Sequence, residues 1–581
     1  MGLYIRLTEF DSQEAKRKAF FDRGNYYYSS SERFLRLPGV PIAYWVKDSL
    51  LDVFQNKKLV DYANCCTGMQ TGNNQKYVRL WQEIDYTRTS IFNQTDAAYE
   101  KYNCGGENRR WYGHNYYRVL WEKTGQRIRN EKSSVIRNEK FFFKSGITWK
   151  RIGGSQICLR LLPEGYIFDQ AGDSMFTADK RLQFYLLGLL NSIVATRVFE
   201  FIAPTLNLTA GNMNRIPIIY NPGDSQNNQI YQMVQECIDI AKEEWDAFEL
   251  SWDYSGHPLQ PEEHEMGVLI ENKYNEWEKK CDDRFRRLKN NEEELNRLFI
   301  DIYGLSDELS PTIQNDNITL RKADLRREIK SLISYAVGCM FGRYSLDQKG
   351  LVYAGGEWNK SQYRTFLPDE DNVLPITDEE YLEDDIVSRF IQWVKTVYGD
   401  DTLERNLDYI AHALGNKGNS SREVIRNYFL SDFFRDHCDA YSVAGSGKRP
   451  IYWLFDSGKE NGLKALIYLH RYNADTIGNL RIDYLHRMQR IYESEISRMQ
   501  DMIDHSTSGR EVAQATKRRE KLTKQLKECR EYDEKLAHLA LSRIELDLDD
   551  GVKKNYRKIQ TANDGKFYEV LADSKNIMSK E

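Results

Sequence analysis

Long apolar runs are missing from this 581-residue chain. No stretch reaches the roughly 18 consecutive apolar residues that a membrane-spanning helix needs, so a membrane span is not expected. Met1 to Phe20 carries no positively charged start followed by an apolar core, so no secretory signal is expected either. The nine cysteines are scattered, and none stands in a Cys-x-x-Cys pair. Only Cys65 and Cys66 are neighbours, and adjacency suits neither an ordinary disulfide nor a zinc knuckle. These features predict a reduced, cytoplasmic protein. The nine histidines are equally dispersed, and the pair His437-Cys438 reads as packing rather than as a metal ligand set.

Charge is abundant but unevenly placed. The net charge of −5 says nothing by itself about a polyanionic partner. Between Lys101 and Arg160, however, 14 Lys and Arg face four Glu and no Asp. Between Ser361 and Ala411, 13 acids face four bases. A dense basic segment inside an acidic chain is either a solvated face or the electrostatic footprint of a phosphate backbone. Trp111, Tyr112, Tyr116, Tyr117 and Trp121 lie in the same segment. Interleaved aromatics can stack on unpaired bases, but core packing is the first reading.

Periodicity divides the chain at about Tyr220. Before it, short apolar runs alternate with few helices. Leu3 to Leu7, Leu59 to Cys66, Tyr77 to Ile84, Ile157 to Leu162 and Tyr166 to Asp169 read as strands. Ser12 to Phe21, Tyr44 to Phe54 and Asp179 to Phe201 read as helices. Beyond the polar linker Asn221 to Asn228, helical spacing dominates, ending in a long hairpin over Arg481 to Leu541 whose apolar residues recur every three or four positions. The fold class expected is therefore α+β: a mixed α/β domain over residues 41–220, preceded by a short segment 1–40. A mainly α-helical region follows (221–310 and 311–480), then the antiparallel hairpin 481–545 and a tail 546–581.

Three loops carry the side chains that base edges and phosphates accept. The first is Gln70-Thr71-Gly72-Asn73-Asn74, with Arg79 just beyond it. The second is Lys150-Arg151 through Ser155, and the third is Asn212 to Arg215, with Asn214 between them. Ordinary turns would contain the same residues. Two other strings are weaker. Ala444 to Lys448 resembles half of a phosphate loop but has Arg449 where Ser or Thr should stand. Asp547, Asp549, Asp550, Lys553 and Lys554 recombine nuclease residue types in what reads as a solvated turn.

Several strings resemble the large adenine-specific DNA methyltransferases of BREX phage-defence systems, the PglX family. They are PEGYIFD at Pro163 to Asp169, YLLGLLNS at Tyr185 to Ser192, and the segment Pro204 to Ile218. Gly68, Gln70 to Gly72, Asn74, Arg79 and Trp81 match a further string, with Tyr77 at a position often aromatic in the family. The most specific are SYAVGCMFGRYSLD at Ser334 to Asp347 and LFDSGKENG at Leu454 to Gly462, and the family's closing pattern is met by Asp549 to Val552 and Asn555-Tyr556.

The resemblance implies a target-recognition and assembly portion acting on double-stranded DNA, together with a methyltransferase domain or other defence components. It implies S-adenosylmethionine for the full-length family, but none for this chain. Adenine methylation needs a Gly-rich cofactor loop and an Asn/Asp-Pro-Pro-aromatic motif for the flipped base. The only Asn-Pro here is Asn221-Pro222, followed by Gly223, and no Pro-Pro occurs. No catalytic, cofactor-binding or metal residue can be carried over. The matched portion corresponds to the C-terminal half of the family, with the methyltransferase half expected to precede Met1. A protein-interaction scaffold without its own role on DNA is the alternative reading.

Overall fold

The computed structural model describes residues 1–89, 97–151, 157–203, 207–262, 265, 267–443 and 447–578. The fold is α+β, and the described chain forms two compact units, each assembled from three separate segments. The units therefore cut across the linear segments that composition suggests.

The first unit comprises Met1–Tyr77, Glu100–Trp245 and Asp283–Arg321. Its central antiparallel sheet runs in the order Asn64–Cys66, Ser174–Phe176, Gly146–Trp149, Leu159–Leu162. Ser174 pairs with both Cys66 and Thr148, and Ile147 with Leu161. Gly146 to Trp149 is buried throughout, and its one hydroxyl side chain, Thr148, accepts Asn103 Nδ2 at 2.7 Å. Lys101, Tyr102 and Asn103 pair in parallel with Tyr166, Ile167 and Phe168. The expected strand Leu59 to Cys66 contracts to its last three residues, because Leu59–Asp61 forms a single 3-10 turn.

The helix expected over Asp179 to Phe201 is two helices, Lys180–Leu190 and Ile193–Ile202, bent by 75°. The break falls at Asn191-Ser192. Asn191 turns its carboxamide onto Leu159, accepting the backbone N–H at 2.9 Å and donating to the carbonyl at 3.0 Å. It thus meets the backbone of a strand whose Leu159 carbonyl also accepts the Trp111 N–H at 3.0 Å. Ser192 caps the second helix through Ala195 N–H. Asp179 caps the first through Arg181 and Leu182. Among the described residues no single helix is long and apolar enough to cross a membrane.

The second unit comprises Val78–Tyr99, Asp246–Asp282 and Lys322–Glu581, within the described residues. Sequence periodicity reads this half as helical, yet it contains a three-stranded antiparallel sheet, Leu374–Ile376, Lys464–Tyr468, Tyr452–Asp456. Its strands are buried except at their ends. The helix Leu325–Met340, capped by Asp324, and the amphipathic helices Ile386–Tyr398, Leu403–Leu414 and Ser421–Ser431 pack in the same core. The expected hairpin is present as His486–His505 and Gly509–Ser542. A π-helical turn, Leu480–Leu485, leads into it.

Candidate nucleic-acid interface

The loop after the strand Asn64–Cys66 is held by close backbone approach. A Cβ at Gly68 would stand 2.0 Å from the Phe168 carbonyl oxygen, so only glycine fits there. Gly72 adopts φ +77°, which favours glycine for the second reason. Between them, Gln70 and Val135 exchange backbone hydrogen bonds, each 2.8 Å. Ser133 Oγ donates to the Gly72 carbonyl at 3.2 Å, and Asn138 Nδ2 to the Thr67 carbonyl at 2.9 Å. The amide loop and the segment 131–139 are therefore one layer.

Inside that layer the polar side chains divide their work. Thr71 is buried, donates to Asn74 Oδ1, and accepts Asn73 N–H at 3.2 Å. Asn73 Oδ1 accepts Lys76 N–H at 3.0 Å. Thr71 shapes the loop, while Asn73 and Asn74 are exposed and Gln70 is half-buried. Lys132, Arg137, Lys140 and Lys144 are exposed around the same segment. Lys140 and Lys144 lie 5.1 and 5.7 Å from the Phe141 ring centre, and that ring stacks on Phe176 at 4.8 Å.

A second polar group forms where Arg151 meets the segment after residue 206. Arg151 N–H donates to the Ala171 carbonyl at 3.1 Å, and Leu208 N–H to the Arg151 carbonyl at 2.7 Å. Trp149 Nε1 donates to the Leu208 carbonyl at 2.8 Å. Thr209 caps the short helix Ala210–Met213 by accepting Asn212 N–H, and its hydroxyl donates to Asn212 Oδ1 at 2.7 Å. Asn214 is half-buried, and its carboxamide oxygen has no hydrogen-bond partner among the described residues. Lys150 and Arg215 are exposed.

Asp173 joins the two groups. Its carboxylate accepts Ala210 N–H at 3.0 Å and a hydrogen bond from the Thr67 side chain, and it feels the charge of Arg151. Burial nevertheless raises its pKa above the ordinary carboxylate value. The structure thus brings Gln70, Thr71, Asn73, Asn74, Arg151, Asn212 and Asn214 onto loops tied to one another, with Lys150 and Arg215 adjacent in sequence. Ser155 lies outside the described residues.

Arg79 is placed differently. It belongs to the second unit, is buried, and donates twice to the Asp549 carbonyl, at 3.0 and 2.8 Å. Arg88 pairs with the Asp549 carboxylate. Asp547 caps the turn through Asp549 N–H, and Lys554 pairs with Asp550. The acidic tail is a braced turn, and among the described residues no group of His, Cys, Asp or Glu could hold a metal ion. His437 is buried and accepts Ile451 and Tyr452 N–H, in keeping with packing.

The basic segment is not wholly a surface. Arg109, Arg110, Arg118 and Arg160 are buried and cannot reach a phosphate. Arg109 pairs with Glu244 at 2.6 Å and Arg110 with Glu292 at 2.8 Å. Burial alone would raise the Glu244 carboxyl, but Arg109 and Arg321 outweigh it and hold it below its ordinary pKa. Desolvation pushes Arg160 down to about 10. Trp111, Tyr112, Tyr116, Tyr117 and Trp121 are all buried, as the core reading expects. Neither acid partner was visible from spacing, since each lies more than 130 residues from its arginine.

No protein-family model matches the chain. Over 585 residues it is 38% identical to the adenine-specific methyltransferase PglX of Lacticaseibacillus casei (strain Zhang), a match covering 96% of this chain and 48% of that protein. It is also 34% identical over 610 residues to the adenine-specific methyltransferase BrxX of Escherichia coli O9:H4 (strain HS), covering 99% of this chain and 48% of the relative. The chain spans about half the length of the curated relatives it matches.

Proposed function

We propose, from the premise that this chain belongs to the PglX family of adenine-specific methyltransferases, that its first unit recognises a target site in double-stranded DNA. The methyl transfer that the relatives' names describe would be completed by protein outside this chain. The observation that carries the reading is the reciprocal backbone pairing of Gln70 with Val135. It sets the exposed amides of Asn73 and Asn74 in the same layer as Lys132 and Arg137. Amides suit base edges, and cations suit the phosphates flanking them. Lys150, Arg151, Asn212, Asn214 and Arg215 form the second contact group. Thr71 acts as a loop brace, and Arg79 is left to the second unit.

Phage defence and modification of host DNA are the setting we infer from the family. S-adenosylmethionine is the methyl donor it implies, and the parallel strand Tyr166–Phe168 does not build a cradle for it. The parallel strand Tyr166–Phe168 runs into Asp169, whose carboxylate accepts Ala171 and Gly172 N–H, and the chain continues into another strand. A cofactor cradle would continue into a helix N-terminus. No step of the transfer is assigned to this chain's residues.

Binding to mixed genomic duplexes, followed by selection of bound fragments, tests the reading. Recovery of one enriched short site supports it. Equal retention of every sequence, or of none, contradicts it.

A further inference from the structure

The first 42 residues contain a two-stranded antiparallel ribbon, Gly2–Ile5 with Tyr26–Ser29, that joins no larger sheet among the described residues. Its register places Leu3 opposite Tyr28, Tyr4 opposite Tyr27, and Ile5 opposite Tyr26. Side chains alternate across a ribbon, so Tyr4 and Tyr27 share one face, and Leu3, Ile5, Tyr26 and Tyr28 share the other. The first face is packed: Tyr44 stacks on Tyr4 at 4.8 Å and lies 5.4 Å from Tyr27. The second face is apolar and bare at its centre, with Leu3 50% and Tyr28 64% exposed.

A two-stranded ribbon is marginal by itself, and one solvated face is ordinarily polar. The surrounding segment repeats the signal, because Phe21 and Leu35 are each 70% exposed and Ile42 62%. Among the described residues, half of the large exposed hydrophobic side chains fall within these 42 positions. An exposed apolar face such as the Leu3/Tyr28 pair marks a protein contact. Duplex DNA is a poor occupant for it, since a phosphate backbone offers nothing to an apolar ribbon face.

We infer that the Leu3/Tyr28 face of the ribbon is a docking surface for the methyltransferase region that the PglX-type relatives possess beyond the part matched by this chain. The occupant follows from length: both relatives are about twice as long as their match here, so each contains a further region of comparable size. The inference rests on the reading above that the transfer machinery lies outside this chain. It would place that machinery on the same unit as the proposed DNA-reading loops.

The test mixes this chain with the unmatched part of the Lacticaseibacillus casei relative, expressed as a separate polypeptide. Light scattering after size exclusion reads the complex, and fluorescence anisotropy on duplex DNA is run in parallel. A one-to-one complex is expected. Leu3→Asp with Tyr28→Asp should weaken it at least 100-fold while leaving DNA affinity unchanged. Leu541→Asp, on the hairpin of the other unit, should leave the complex intact. In the unaltered chain, amide exchange at 2–5 and 26–29 should slow in the complex, which needs no variant. Absence of a complex, a complex indifferent to the double variant, or a ribbon face that instead pairs two copies of this chain overturns the inference. A docked chain that ignores DNA would leave the surface standing and remove the recognition reading.

Discussion

Gln70 and Val135 lie 65 residues apart and exchange two backbone hydrogen bonds of 2.8 Å each. Through that pair an amide-bearing loop and a cationic segment become one surface. Ser133 on Gly72 and Asn138 on Thr67 hold the two segments together on either side of it.

The cations on that surface should act through phosphates. Lys132→Ala with Arg137→Ala should weaken DNA binding almost uniformly across sequences. The salt dependence should flatten by about one unit of slope for each phosphate no longer neutralised. Anisotropy titrations between 50 and 200 mM salt, about the range over which such effects are large, read both quantities. A weakened affinity with an unchanged slope would point to damage elsewhere.

Base discrimination should respond to the other group. Arg151→Ala with Asn214→Ala should reduce preference for the selected site over random duplex by about 1–3 kcal/mol for each bidentate pairing removed. Competition assays measure the ratio directly. An unaltered ratio would remove these two residues from sequence reading.

The buried arginines predict stability effects instead. Arg110→Met takes the guanidinium from the Glu292 carboxylate and leaves it the Trp111 indole N–H at 2.6 Å. Removing one partner of a buried pair costs about 3–5 kcal/mol. Denaturant melts of the first unit's signal should show that destabilisation, whereas Arg137→Ala should melt like the unaltered chain.

Glu249 in the second unit gives a pH dependence. It is buried, accepts Ser334 Oγ at 2.9 Å and Tyr441 OH at 3.3 Å, and burial pushes its carboxyl up to about 6 from 4.5. The folded chain holds that proton more tightly than the unfolded chain does. Its contribution is complete below about 4.5 and is lost as pH rises through about 6, a change of about 2 kcal/mol. Glu249→Gln should flatten the stability profile between about pH 4.5 and 6. A profile as steep as the original would assign the slope to another group.

Periodicity made some of this legible and hid the rest for identifiable reasons. The hairpin helices carry an uninterrupted three-and-four spacing, and their ends fall close to the expected ones. Asn191-Ser192 is a single polar pair inside an apolar run, and the apolar spacing on both sides reads as one helix, so the 75° bend rests on what Asn191 bonds to and on Ser192 as a cap. Tyr452–Asp456 and Lys464–Tyr468 are five-residue runs, short enough for strands, but flanking helical spacing absorbed them. The loops bearing Asn73, Arg151 and Asn214 were visible from residue type. Their connection through Asp173 was not, because it depends on contacts between distant segments. The sorting of Lys101 to Arg160 into buried and exposed cations depends on Glu244 and Glu292 in the same way.

The most direct measurement is the affinity of the unaltered chain for duplex DNA across a salt series. If about six phosphates are neutralised, log affinity should fall against log salt with a slope of about −5. A chain that binds no duplex at low salt, or binds it with no salt dependence, contradicts DNA recognition by the first unit.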